Sequence, residues 1–161
     1  MEKTISPLET IFSLNDRLFT NTLAGFTEEQ AQERISGHNN PVIWIAAHTV
    51  ASRYLMLVFL GKPAPNPYQE LFDNFRAYDP ALNYPSLDEV RKEWEKVTML
   101  LKEALQTVSE QQLAADAPIK NPTGDFTNIG TLAFLAQHES YDVGQLAFLK
   151  KYFTKEAMSY N

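Results

Sequence analysis

The sequence predicts an all-α protein, a four-helix bundle with a long crossover connection between its second and third helices. Four long segments repeat apolar residues every three to four positions, and each opens on a helix start signal. No segment of comparable length alternates apolar and polar residues with the period of a strand. The chain has 161 residues, 44% hydrophobic and 21% charged, which is enough apolar mass for one packed core. It reads as a single domain over residues 1–161.

The first helix is expected to start at Ser6-Pro7-Leu8-Glu9, with Ser6 as cap, Pro7 in the first turn and Glu9 completing a capping box. Its inward stripe is Leu8, Ile11, Phe12, Asn15, Leu18 and Phe19. The second starts at Asn40-Pro41 and ends near Leu60, before Gly61 and Pro63, with Trp44, Ile45, His48, Ala51, Ser52, Leu55 and Phe59 in line. This stretch is long and apolar enough to resemble a membrane span. It contains His48 and Arg53, however, and a basic residue at the bilayer centre costs about 2.5–3.5 kcal/mol. A buried helix, with no membrane partner, is the expectation.

The third helix opens on the box Ser86-Leu87-Asp88-Glu89 and carries Val90, Trp94, Val97, Leu101, Leu105 and Val108 on one face. The fourth starts near Thr127-Asn128 and runs to about Phe153, aligning Leu135, His138, Asp142, Gln145, Leu149 and Tyr152. Between helices two and three, Gly61 to Pro85 is rich in Pro, Asn and Tyr, with one short helix around Tyr68 to Phe75. Ala114 to Phe126 reads as turns. Thr27-Glu28-Glu29-Gln30 and Ser109-Glu110-Gln111-Gln112 are similar polar loop segments, each following one helix and preceding a histidine-bearing one. Two such hairpins about a pseudo-twofold would set the His48 and His138 helices face to face.

Composition narrows the chemistry. The 14 Lys and Arg are outnumbered by 20 Asp and Glu and are scattered, which argues against a nucleic-acid partner. There is no cysteine, so a metal would be held by imidazole nitrogen and carboxylate oxygen. The first residues, MEKTISPLETIF, have no apolar run of a secretory signal, and a cytoplasmic location is expected.

His138 and Asp142 are four apart on a periodic helix and project from one face. His48 lies at the middle of the apolar stripe of the second helix. Two imidazoles and a carboxylate form a three-ligand set that suits Zn, Ni, Mn or Fe and leaves positions open for water or substrate. The spacing His138-Glu139-Ser140-Tyr141-Asp142 matches the zincin pattern with Asp for the last His, but Glu139 points about 100 degrees away on an ideal helix. A second reading stands beside the metal: Asp142 pairs internally with a protonated His48 or His138, or with Arg53. Asn15 and Gln145 are polar residues on inward stripes, suited to bind substrate or orient a ligand, or to bond backbone in the core. His38 falls in a loop as a solvated residue.

Asn39-Asn40-Pro41-Val42-Ile43-Trp44-Ile45-Ala46-Ala47-His48, paired with His138-Glu139-Ser140-Tyr141-Asp142-Val143-Gly144-Gln145-Leu146, resembles the DinB-like family. The resemblance implies a four-helix bundle with a Trp one turn before a first His, then H-x-x-x-H-x-G-Q on the last helix. It implies three ligands to a divalent metal, falling here on His48, His138 and Asp142, and a Gly144 that allows close helix packing. Asp142 stands where the third histidine is usual. Some relatives are thiol-dependent transferases, so the resemblance also implies a small-molecule substrate with a low-molecular-weight thiol.

The functional expectation is therefore a metal-dependent small-molecule transferase or hydrolase. The alternative is a noncatalytic ligand-binding or stress-response protein with a degenerate site. A homodimer is expected, with Tyr54, Leu57, Phe148 and Phe153 on its face.

Overall fold

The computed structural model describes residues 4–161, and among these every regular element is helical, with one isolated bridge between Asp116 and Thr127. The long helices are α1 (Ser6–Leu23), α3 (Val42–Phe59), α5 (Leu87–Thr107) and α7 (Asn128–Thr154). The short ones are α2 (Glu28–Gln32), α4 (Gln69–Phe72), which runs into a 3-10 turn at Asp73–Phe75, and α6 (Glu110–Ala114).

Two long helices start as their sequences dictate. Ser86 accepts the Glu89 N–H while the Glu89 carboxylate takes the Ser86 N–H, a reciprocal box that fixes the entry to α5. Thr127 accepts the Gly130 N–H at the start of α7. The start of α1 departs from expectation. Ser6 is already helical, Ile5 takes the cap position with φ −78° and ψ −13°, and no side chain caps the end. Ile5 is fully buried, so anchoring it in the core outweighs a serine cap. The two polar segments expected as loops instead fold as single turns, α2 with a Thr27/Gln30 capping box and α6 capped by Ser109. Each turn buries one apolar residue, Ala31 or Leu113, which gives it a reason to form.

α7 packs against α1 and α3, α3 packs also against α5, and α1 touches α5. A helix with neighbours on two sides cannot keep a polar face of ordinary width. Accordingly 14 of the 18 residues of α3 are buried, against 8 of 21 in α5. By length and a mean hydropathy of 1.5, Val42–Phe59 could cross a membrane, yet 78% of it is buried inside the protein. Phe19, Ile45, Leu57 and Phe59 are almost wholly withdrawn from water, each contributing about 1.5–3 kcal/mol.

The inward stripes are narrower than periodicity alone suggests. Ile11, Leu55 and Tyr152 are exposed, because each lies at the edge of its stripe where no neighbouring helix covers it. Tyr54 and Leu57 are buried in the core, and Phe153 is half-buried against Phe26. Of the four residues expected on a dimer face, Phe148 alone is open to solvent. The C-terminal end of α7 is tied to the end of α1 by buried Lys150, which donates to the Ala24 carbonyl, and the tail beyond α7 is tied to α1 by Asn21, which donates to Ser159 O at 2.8 Å.

Candidate metal centre

α3 and α7 cross with two polar layers between them. In the first, His48 Nδ1 lies 3.0 Å from Asp142 Oδ2, and His138 Nε2 lies 3.8 Å from the same oxygen. One ligand atom from each residue can be chosen so that all three fall within 4.8 Å of one another, close enough to share one ion. Ligands about 2.0–2.2 Å from a zinc ion in tetrahedral geometry stand about 3.4 Å apart. The two measured spacings bracket that value, so the donor set fits a divalent cation by both chemistry and separation.

The two histidine rings are held by aromatic contacts. Trp44, one turn before His48, stacks on it at 5.0 Å with the planes only 6° apart. Phe72 of α4 meets the Trp44 and His48 rings edge-on at 5.4 and 5.2 Å, and Phe134 stacks on His138 at 5.9 Å. The long α3–α5 connection thus brings one aromatic back to cover His48. Asp142 is held by Gln145 Nε2, which donates to Oδ1 at 3.2 Å, while the Thr49 hydroxyl, 3.4 Å from Oδ2, gives its one proton to the Ile45 carbonyl at 2.7 Å. The group is not sealed: the His48 and His138 side chains are 23% and 32% exposed, while Asp142 is 4% exposed. Solvent or a small molecule can reach the histidine side.

The second layer explains Arg53 and Glu139. Arg53 Nε and Nη2 donate to the two Glu139 oxygens at 2.7 and 3.0 Å, with both side chains almost fully buried. Arg53 also donates to Thr98 Oγ1 on α5 at 2.5 Å and to Phe12 O on α1 at 3.1 Å, and lies 3.6 Å over the Trp94 ring. Arg53 is thereby spent, and the expected alternative pairing with Asp142 does not form. Glu139 is spent as well, as its position off the ligand face implied.

The remaining candidates are placed as follows. Asn15 is buried and donates to Ser140 Oγ at 3.0 Å, joining α1 to α7, with no bond to the three-residue group. His38 is exposed in the α2–α3 connection. Gly144, expected to permit close helix packing, does nothing of the kind: a Cβ built on it meets no atom within 4 Å. Gly130 on the same helix is the packing glycine, since its Cβ would come within 2.6 Å of the Asp125 carbonyl.

A domain built this way, with a two-histidine, one-carboxylate group between its two most buried helices, matches a known class. Residues 11–146 match the DinB superfamily, and the chain belongs to it. Its fold is shared by a conserved protein from Enterococcus faecalis, with a TM-score of 0.71 at 18% identity over 97% of this chain and 100% of that one. No curated protein matches the chain by sequence.

Proposed function

We propose that the protein is a divalent-metal-dependent enzyme of small molecules, transferring a low-molecular-weight thiol to an electrophilic carbon. The scaffold is read as a four-helix bundle with a long crossover between its second and third long helices, supported by the packing of α1 and α3 on both α5 and α7. His48, His138 and Asp142 would hold the ion, with Zn, Ni, Mn and Fe all compatible with the donors. When bound, a divalent ion lowers the pKa of a thiol or water it touches, so that the nucleophilic form exists near neutral pH.

One observation favours a thiol over water. A hydrolase of zincin type needs a free carboxylate beside the ion as general base, and Glu139, which stands at the zincin position, is buried and doubly bonded to Arg53. A thiol loses its proton to solvent more readily than water does and needs no such base. In the transfer the sulfur lone pair forms a carbon–sulfur bond, while the leaving group departs with the electrons of the bond that breaks. The chain's residues orient this event: Gln145 fixes the Asp142 carboxylate, and Trp44 and Phe72 fix the His48 ring. The partly exposed edge of His138 leaves an approach for both reactants.

The test is transfer of a simple thiol to an alkylating electrophile by protein loaded with each of the four metals. Metal-dependent turnover that Asp142→Ala abolishes is expected. A competing reading rests on the 3.0 Å His48–Asp142 contact, which is also an ordinary hydrogen bond and would suit a noncatalytic protein with a degenerate site. That reading predicts no turnover by the natural chain, and its gain on Asp142→His.

A further inference from the structure

Beside the three-residue group a groove of about 380 Å³ runs between the start of α3 and the second half of α7. Its walls are Ile45, Tyr141, Phe148 and Leu149, its floor crosses Gly144, and Gln145 and Asn39 supply its polar atoms. Gln145 is shared: its amide nitrogen holds Asp142 Oδ1, so the groove and the ligand group meet at one side chain. Tyr141 and Phe148 are 60% and 67% exposed, large apolar surfaces left uncovered.

Gly144 is the telling residue. A glycine inside a helix costs about 0.5–1 kcal/mol relative to alanine. Gly130 repays that cost by letting the Asp125 loop approach, but Gly144 borders only open space and has no such return within the chain. Tyr141 and Phe148 add a second observation, since both flank this open position on α7 and leave their rings uncovered. A missing side chain between two uncovered aromatic rings, all on one small groove, marks a site shaped for an apolar group that enters it. The volume suits a small molecule, at the low end of ligand pockets, and is too small for a helix about 10 Å across from a second copy.

We infer that this groove is the specificity pocket for the apolar part of the thiol substrate, an aryl or branched alkyl group, with Gly144 as the residue that keeps it open. The inference rests on the thiol-transfer reading for the direction in which the substrate lies. It does not rest on that reading for the existence of the pocket.

Calorimetric titration of zinc-loaded protein with 2-mercaptoethanol and with benzyl mercaptan tests it. Burial of the ring makes benzyl mercaptan bind about 30-fold tighter. Gly144→Leu fills the groove without touching a ligand residue; it removes that preference and leaves zinc and 2-mercaptoethanol affinities unchanged. Equal preference in the natural protein and Gly144→Leu overturns the proposal. So does a groove that answers only to oligomeric state, with Gly144→Leu converting a dimer to monomer in light scattering while the probes bind as before. If zinc does not bind at all, the thiol-transfer reading fails separately. The groove is then tested on metal-free protein with benzyl alcohol, which is expected to shift the Gly144 and Gln145 amide resonances; unmoved resonances overturn it.

Discussion

The two polar layers between α3 and α7 use similar groups to opposite ends. In the Arg53–Glu139 layer, four guanidinium N–H donations go to protein acceptors on three other helices, and both side chains are sealed from water. In the His48–His138–Asp142 layer, whose α7 residues flank Glu139 in sequence and whose α3 residue precedes Arg53, the acid is also buried but both imidazoles reach partly into solvent. A buried charge must be matched, and the first layer is matched wholly from within the chain. The second gathers three ligand-type groups around a shared point and leaves room for a fourth partner. Closure marks a structural layer, and incompleteness is what makes the other a candidate for an ion.

Breaking the closed layer should give the largest effect. Arg53→Met or Glu139→Leu alone leaves a charge stranded in the core, and denaturant unfolding should show a loss of about 3–5 kcal/mol. The double variant should recover most of it, because two apolar side chains satisfy one another. Single variants that cost under about 1 kcal/mol would remove the distinction drawn here.

At the open layer, change should fall on ion binding instead. His138→Ala should weaken zinc binding at least about 100-fold in competition with a chelator, with little change in metal-free stability, since the ring is partly exposed. Gln145→Leu, which frees one oxygen of Asp142, should weaken it about tenfold. The smallest contrast lies in the two glycines of α7. Gly130→Ala should destabilise by about 1–3 kcal/mol through overlap with the Asp125 loop, whereas Gly144→Ala should stabilise by about 0.5–1 kcal/mol. Thermal melting of the two variants should move in opposite directions.

Much of this was legible in the sequence because it is local. The Ser86 box, the Thr127 cap and the apolar stripe of α5 are decided within a few residues, and the i, i+4 spacing alone places His138 and Asp142 on one face. What escaped is set by distant chain. Arg53 found Glu139 rather than Asp142 because the rotation of α7 against α3 decides which acid it meets, and Phe72 reached His48 through a connection whose path no periodicity reveals. Ile5 overrode Ser6 because its burial depends on the assembled core. Gly144 was misread for a related reason: a glycine that lets a neighbour in and one that keeps a space clear look the same in one dimension.

The most direct test is zinc or manganese binding by untagged protein, measured by calorimetry and by anomalous scattering from crystals grown with the ion. One equivalent of metal is predicted, lying between His48 Nδ1, His138 Nε2 and Asp142 Oδ2, with a rise in melting temperature that Asp142→Ala eliminates. A protein that takes up no ion, with those three side chains bonded only to one another in the crystal, would contradict the account.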